Sequence, residues 1–188
     1  MLEKIIELDK KLFIFLNGLG NQNFDAIWLL ITQQIYWAPF FVFVFYLLIK
    51  KIGWKNFGAY VLFIAVLITL ADQTANFFKS NIFRLRPCND LEINSIIRIV
   101  KTSSTYSFFS GHATNSMATS TFTFLILSKY YKNVGWLFLF PLIFAYSRIY
   151  LGIHFPLDII TGYFFGIFYG VIFYKLYKYF IKKNQLSK

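Results

Sequence analysis

The chain has 188 residues and a net charge of +11, and it is 57% hydrophobic but only 14% charged. Soluble domains average about 25% charged residues, so the composition argues against a soluble fold and indicates one membrane domain, residues 1–188. In a soluble protein this positive charge would suggest nucleic-acid binding. Here the basic residues flank apolar runs, which argues against nucleic acid and for a bilayer as the partner. Cys88 is the only cysteine, so an internal disulfide is excluded.

The apolar residues predict an all-α, polytopic membrane bundle. Residues 1–16 mix apolar and charged side chains in a pattern typical of an amphipathic helix on the membrane interface. We expect no removable signal peptide, because the segment lacks a basic start, an apolar block and a small-residue cleavage site. Five apolar segments follow, and a bilayer crossing takes about 20 residues. They are Phe24–Ile49, Trp54–Phe78, Ala113–Leu127, Val134–Tyr150 and Leu157–Ile181.

The distribution of lysines predicts the orientation. Because five spans alternate sides, two short turns and the C-terminal tail share one side, with 10 of the 19 basic residues and no acidic residue. These are Lys50, Lys51, Lys55, Lys129, Lys132, Lys175, Lys178, Lys182, Lys183 and Lys188. The positive-inside rule makes this side, with the C-terminus, cytoplasmic. The connection Lys79–His112 and the segment Tyr146–Asp158 are then expected to face outward.

Three polar segments fall on the predicted outward side. They are "KSNIFRLRP" at residues 79–87, "FSGH" at residues 109–112 and "SRIYLGIHFPLD" at residues 147–158. The chain has two histidines, and both lie in these segments. A charge at mid-bilayer costs about 2.5–3.5 kcal/mol on insertion scales, so charges kept close to the membrane usually face a partner or a ligand.

The cations of these segments indicate a phosphate site. A phosphate fits arginine side chains well, and the carboxylates nearby are too few to neutralise all the cations. The carboxylates are Asp72, Asp90, Glu92 and Asp158, and the cations are Lys79, Arg86 and Arg148 together with Arg84, Arg98 and Lys101. Ser110 and Gly111 would add a hydroxyl and backbone N–H donors, since glycine allows close approach of an anion to the backbone. The predicted helix that begins here would also favour an anion at its N-terminus.

The histidines suggest covalent catalysis. Pro156 suits the first turn of a helix, which places Asp158 in that turn beside His154. A carboxylate there can accept a hydrogen bond from one ring nitrogen and leave the other free to attack. His112 would then donate a proton to the leaving oxygen. The three cations would hold the oxygens that carry the charge in a phosphoryl-transfer transition state.

In order and spacing, these segments resemble the three signature motifs of the type-2 phosphatidic acid phosphatase superfamily, which includes the vanadium-dependent haloperoxidases. The resemblance covers residues 79–158, and the surrounding spans match the membrane-bound branch. The family's second motif usually reads Pro-Ser-Gly-His, and Phe109 replaces that proline here, which affects the local loop shape rather than the chemistry. Members commonly have six spans, so the N-terminal helix would stand in for the sixth.

The resemblance implies a phosphatase that needs no metal and no cofactor. It implies that His154 forms a phosphohistidine, that Asp158 orients it and that His112 protonates the leaving group. It also implies that the phosphate is bound by Lys79, Arg86, Ser110, Gly111 and Arg148.

Other polar residues near the motifs receive structural interpretations. Arg84 is interpreted as an arginine that extends along the membrane to the interface, and Cys88 as structural. Arg98 and Lys101 lie in a loop and are expected to be solvated. Asp72 is expected to pair with a nearby base or polar side chain.

The sequence therefore predicts an integral-membrane hydrolase that removes phosphate from a lipid mono- or diphosphate, in a bacterial inner membrane with the site facing outward. Polyprenyl diphosphate, phosphatidylglycerophosphate, phosphatidate and lipid A all stay open as substrates. A membrane transporter or scaffold without hydrolytic activity and a vanadate-dependent haloperoxidase are the alternatives. The oligomeric state is left open.

Overall fold

A computed structural model describes residues 2–186 and shows an all-helical fold in that range, without strands. Lys188, one of the tail lysines counted above, lies outside the described residues. Short 3-10 turns join the main helices. The helices are α1 (Leu2–Gly18), α2 (Asp25–Ile31), α3 (Ala38–Ile82), α4 (Gly111–Leu127), α5 (Leu139–Tyr150) and α6 (Pro156–Leu186).

The long helix α3 is a hairpin of two arms that reverses at Gly53. This glycine has φ 74° and ψ 163°, a non-helical conformation that side chains with a Cβ rarely adopt. The rings of Phe45 and Tyr60 lie 6.4 Å apart, whereas 15 residues of straight helix would separate them by about 22 Å. The two arms correspond to the predicted spans on either side of the turn at residues 49–54.

The predicted first span, Phe24–Ile49, is not one helix. It begins as α2, breaks at Thr32 and Gln33, and resumes through a 3-10 turn into α3. Pro39 explains the restart, because proline lacks a backbone N–H and is tolerated only in the first turn of a helix. The other four predicted spans coincide with helical segments of the structure.

Helices α4 and α6 pack against each other through small residues. Gly162, Gly166 and Gly170 lie one helical turn apart on α6 and face α4. A Cβ on any of them would approach a backbone oxygen of α4 to 2.8–2.9 Å, closer than real contacts. Glycines at this spacing let two helix backbones approach closely, as in membrane helix pairs.

Two segments are long and apolar enough to cross a membrane by length and composition, Gln34–Asn89, which includes α3, and Pro156–Asn184 in α6. The number of spans, five or six, stays a prediction. The main apolar cluster is formed by both arms of α3 with α4 and α6, and it includes Leu48, Leu67, Phe122 and Phe173.

Helix α1 packs against the end of the bundle where α3 ends and α4 and α6 begin, called here the site end. Its buried residues, Asp9, Phe13 and Asn17, recur every four positions and therefore form one stripe. Asn17 donates to the carbonyl oxygens of Ile149 and Tyr150, at the end of α5. Other apolar side chains of α1 are exposed, as an amphipathic helix in contact with lipid requires.

The opposite end of the bundle is called here the lysine end. Lys51, Lys129, Lys178 and Lys182 surround one cavity there, between the α3 turn, the end of α4 and α6. The predicted clustering of these lysines on one side of the molecule is therefore confirmed for the described residues.

Candidate active site

The three polar segments converge at the site end. Lys79 lies in the last turn of α3, and Arg86 lies in the loop that follows. Three of the predicted residues lie at the start of α4. The others lie at the end of α5, in the turn between α5 and α6, and at the start of α6. These are Ser110, Gly111 and His112 from α4, then Arg148, His154 and Asp158.

His154 is a neutral imidazole with its free nitrogen directed at an arginine. Its Nδ1 lies 3.3 Å from Asp158 Oδ2, and its Nε2 lies 3.0 Å from Arg86 Nη1. Because a guanidinium can only donate, Nε2 is the acceptor and the ring proton sits on Nδ1. Burial, reinforced by the charges of Arg86 and Arg148, lowers the pKa of His154 well below its ordinary value. The ring therefore presents a lone pair toward the place where cations gather.

Arg86 is fixed by its neighbours. Its Nε and Nη2 donate to the carbonyl oxygen and hydroxyl of Thr105, both at 2.8 Å, and its Nη1 donates to the carbonyl of Ile153 at 2.9 Å. These bonds orient the guanidinium next to His154 before any substrate arrives. An anion bonded to Arg86 would lie within reach of Nε2.

Two further cations surround the same space. Arg148 is buried and donates to Thr32 Oγ1 at 2.6 Å, and its Nε has no hydrogen-bond partner among the described residues. An unpaired buried donor favours an anionic ligand. Lys79 Nζ lies 3.8 Å from the position that a Cβ on Gly111 would occupy, so the lysine reaches the first turn of α4.

The start of α4 offers N–H groups to an anion. Ser110 caps the helix, since its hydroxyl accepts from the N–H of Ala113 at 3.4 Å. The N–H of Ser110 donates to the carbonyl oxygen of Asp158 at 3.1 Å, which ties the first turns of α4 and α6 together. The N-terminal amides and dipole of α4 favour negative charge at this point.

The His112 ring stacks on the aromatic ring of Phe144. Its ring lies 5.0 Å from that of Phe144, at an interplanar angle of 16°. The charges of Arg148 and Lys79 act on it, so it shares their space. This position suits a group that exchanges a proton with a phosphate ester held by those cations.

The interpretation of Arg84 was wrong. Its guanidinium lies between two buried carboxylates, 2.7 Å from Asp158 Oδ1 and 2.5 Å from Asp9 Oδ2. Sequence reasoning assigned no role to Asp9 and missed Thr105, the partner of Arg86. These contacts join residues far apart in the chain, and nothing in the local sequence signals them.

Arg98 was expected to be solvated, and its side chain is only partly exposed. It forms an ion pair with Asp25 at 2.8 Å and lies over the ring of Tyr150, so it links the loop to α2 and α5. Asp72 has the expected polar partner, because Asn76 donates to it at 3.3 Å. Cys88 is buried and unpaired, in agreement with a structural role.

Two cavities adjoin the cluster. One, of about 440 Å³, is lined by Lys79, Thr105 and neighbouring polar residues. The other, called here the membrane cavity, has about 250 Å³ and lies between the two arms of α3 and one face of α4. It extends from Phe144, beside His112, along Asn115 and Thr119. A polar space and a largely apolar space thus adjoin the same group of cations.

Comparison with known proteins identifies the family. The model of the PAP2 superfamily matches residues 58–182, more than half of the chain, with all three motif segments. The chain belongs to the PAP2 superfamily. The resemblance inferred from the motifs is therefore confirmed, and the enzyme is favoured over the transporter or scaffold.

The relatives of this PAP2 protein act on lipids. Two lipid A 4'-phosphatases are each 34% identical to it, from Bacteroides thetaiotaomicron (93% of this chain, 79% of the relative) and Porphyromonas gingivalis (95% and 76%). The crystal structure of Aquifex aeolicus LpxE superposes with a TM-score of 0.66 at 26% identity, over 89% of this chain and 95% of that one. The protein is a membrane phosphatase that hydrolyses lipid phosphates.

A second solved structure shares the fold. The PAP2-type phosphatidylglycerolphosphate phosphatase of Bacillus subtilis superposes with a TM-score of 0.67 at 19% identity. The superposition covers 96% of this chain and 87% of that one. At this identity the likeness concerns the fold alone.

Proposed function

We propose that the protein removes the 4'-phosphate of lipid A by two successive displacements at phosphorus, through a phosphohistidine at His154. The observation that carries the proposal is the orientation of His154 Nε2 toward Arg86, with Asp158 behind Nδ1. The choice of lipid is supported by the two relatives that act on this substrate, each aligned over more than nine-tenths of the chain.

In the first displacement the phosphate occupies the space among Lys79, Arg86 and Arg148. Nε2 of His154 attacks phosphorus, and the bond between phosphorus and the sugar oxygen breaks. His112 gives its proton to that oxygen, so the lipid leaves as an alcohol. The cations hold the other three oxygens, which carry the charge of the transition state.

In the second displacement water replaces the lipid. His112, now neutral, takes a proton from water as the water oxygen attacks phosphorus. The phosphorus–nitrogen bond breaks, inorganic phosphate leaves, and His154 returns to its neutral state. Throughout, Asp158 accepts a hydrogen bond from Nδ1–H, which keeps its proton, and stabilises the positive charge that the ring carries while bonded to phosphorus.

The membrane cavity supports a lipid substrate. Aromatic and aliphatic side chains such as Phe41, Phe45 and Ile64 form one wall, and hydroxyls of α4 form the other. A hydrocarbon chain that enters between the arms of α3 would reach Phe144, next to His112. The phosphate then lies at the polar end of the same path.

A panel of lipid phosphates tests the proposal. Purified protein is assayed for phosphate release from lipid A phosphorylated at both positions, lipid A with only the 1-phosphate, phosphatidylglycerophosphate, phosphatidate and polyprenyl diphosphate, at equal surface concentration. We expect lipid A with a 4'-phosphate to react fastest and His154→Ala to be inactive. Faster release from another lipid would reassign the substrate, and activity in His154→Ala would reject the mechanism.

Vanadate separates the phosphatase from the haloperoxidase alternative. Vanadate resembles the phosphoryl group in transfer, so it should occupy the cations and inhibit phosphate release. Halide oxidation by the vanadate-loaded protein in the presence of peroxide would favour the alternative.

We further propose that the site faces outward from a bacterial inner membrane, with the lysine end cytoplasmic. The four lysines around one cavity support this orientation through the positive-inside rule. Cysteine is placed at Asn94 or Asn133 in a Cys88→Ser background, and intact cells are treated with an impermeant thiol reagent. Labelling of position 94 alone supports the orientation, and labelling of position 133 alone reverses it.

A further inference from the structure

Arg84 connects helix α1 to the carboxylate behind His154. Its Nη1 donates to Asp158 Oδ1 at 2.7 Å, and its Nη2 donates to Asp9 Oδ2 at 2.5 Å. The guanidinium also lies 4.1 Å from the centre of the Phe155 ring. The side chains of Asp9 and Asp158 are 5% and 0% exposed, so this ion-pair network is almost closed to solvent.

Asp9 has a second contact on the same side. Its Oδ1 accepts from the backbone N–H of Leu157 at 2.8 Å, in the first turn of α6. Burial raises the pKa of Asp9, and the contacts with Arg84 and Leu157 oppose that shift. One carboxylate of α1 therefore holds both Arg84 and the helical turn that carries Asp158.

Every oxygen of Asp158 has an assigned donor. Oδ1 accepts from Arg84, while Oδ2 accepts from the N–H of Phe155 at 2.9 Å and faces His154 Nδ1 at 3.3 Å. Because Arg84 fixes one oxygen, the other remains directed at the imidazole. Rotation of the carboxylate would remove the acceptor that keeps the proton on Nδ1 and the lone pair on Nε2.

The charges also matter to the reaction. Within this network, two carboxylates and one guanidinium leave a net charge of −1 on the Nδ1 side of the His154 ring. The ring becomes positive when Nε2 bonds to phosphorus, so a net negative charge stabilises that state. If Asp9 were neutral, Arg84 would offset the whole charge of Asp158.

We propose that Asp9 and Arg84 are positioning residues of the phosphatase reaction, acting on His154 through Asp158; this rests on the role of His154 proposed above. Asp9 lies outside the region that the PAP2 model matches, residues 58–182. Helix α1 thus completes the active site rather than only covering it. A purely structural role is the alternative, in which the network does no more than fasten α1.

The first test compares Asp9→Asn with Lys10→Met. Lys10 also fastens α1 to the loop, through Asp90 and Glu92 at 2.7 and 2.6 Å, but it does not touch the network. With bis-phosphorylated lipid A in detergent micelles, we expect Asp9→Asn to lower kcat about 10- to 100-fold with KM unchanged, the usual range for residues that orient a catalytic group. Lys10→Met should keep kcat within about twofold of wild type, since charge is lost only outside the site.

A double variant separates positioning from folding. Arg84→Met alone leaves Asp9 buried and unpaired, which destabilises the protein. In Asp9→Asn/Arg84→Met the unpaired charge of Asp9 is also removed, so the melting temperature should recover part of the loss seen in Arg84→Met, but Asp158 still lacks its donor on Oδ1. Positioning predicts that kcat stays as low as in Arg84→Met although the melting temperature rises, and a structural role predicts that kcat recovers with the melting temperature.

The outcomes distinguish this inference from the proposed function. An inactive His154→Ala together with wild-type kcat in Asp9→Asn would overturn the positioning role alone. Recovery of kcat in the double variant would overturn it as well. Wild-type activity in His154→Ala would overturn the proposed function on which it rests.

Discussion

The two faces of α4 differ in how closely they are packed. Toward α6, the three glycines let backbones meet so closely that an added Cβ would lie 2.8 Å from the carbonyl oxygen of Thr114 at Gly166. Toward α3, the same helix borders the membrane cavity of about 250 Å³, lined by Asn115, Thr119 and Thr123. The first face is called here the closed face and the second the open face.

The difference separates two requirements of a membrane phosphatase. The closed face fixes the first turn of α4 against the first turn of α6, where Ser110 donates to the carbonyl of Asp158. This fixes His154, the proposed nucleophile, relative to the proposed anion site at the start of α4. The open face leaves space for a hydrocarbon chain beside His112. Rigidity for the chemistry and access for the lipid are therefore obtained from opposite sides of one helix.

The largest expected effect on kcat is at His112, which lies in the first turn of α4. His112→Asn should lower kcat about 10²- to 10⁴-fold, because the leaving oxygen loses its proton donor. Phosphate release is measured at saturating lipid, with the melting temperature as a check on folding. A kcat within a few-fold of wild type in a folded variant would remove His112 from the mechanism.

On the closed face, an added methyl should destabilise the protein. Gly166→Ala is expected to lower the free energy of unfolding by about 1–3 kcal/mol, because the added methyl would force the backbones of α4 and α6 apart. That corresponds to roughly 2–4 °C in melting temperature for each kcal/mol in a chain of this size. Gly58→Ala is the matched control.

Gly58 is on α3 with nothing within 4 Å of an added Cβ. Its replacement should leave stability unchanged or raise it by up to about 1 kcal/mol, since alanine favours helix. Equal melting temperatures for the two variants would contradict the close packing of α4 on α6.

On the open face, a large side chain should compete with the lipid. Thr119→Phe is expected to lower kcat/KM for a long-chain lipid phosphate about 10-fold. Discrimination of this size is typical when an apolar group fits its pocket poorly. The rate with a short-chain phosphate ester should be unchanged, because it does not reach Thr119. Thr119→Val preserves the volume and is the control. Equal losses on both substrates would show that the cavity does not hold the chain.

The smallest expected effect is that of a chelator. Lys79, Arg86 and Arg148 supply positive charge at the site, so phosphate release in excess chelator should equal that of the untreated protein. The comparison uses protein purified without added metal. Loss of activity that returns with a divalent cation would contradict the metal-free mechanism.

Much of the site could be predicted from the sequence because its residues lie in three short segments with fixed spacing. Pro156 predicted a helix start that places Asp158 beside His154, and α6 begins at that proline. Both histidines of the chain lie in the same segments. The close packing of α4 on α6 was not predicted, although Gly162, Gly166 and Gly170 recur every four residues.

The network around Arg84 could not be predicted in this way. Its partners Asp9 and Asp158 lie 75 and 74 residues away in the sequence. A single arginine among apolar residues has the same local pattern whether it reaches the interface or pairs inside the protein. The membrane cavity was equally hidden, because it depends on the angle between the arms of α3 at Gly53.

Trapping the covalent intermediate tests directly whether His154 is the nucleophile. Wild-type protein is mixed with lipid A labelled at the 4'-phosphate, quenched in alkali within the first turnover, and digested for mass spectrometry. We expect one acid-labile phosphate on His154, absent from His154→Ala and formed no more slowly than phosphate is released. Turnover without labelled His154, or with the label on another residue, would contradict it.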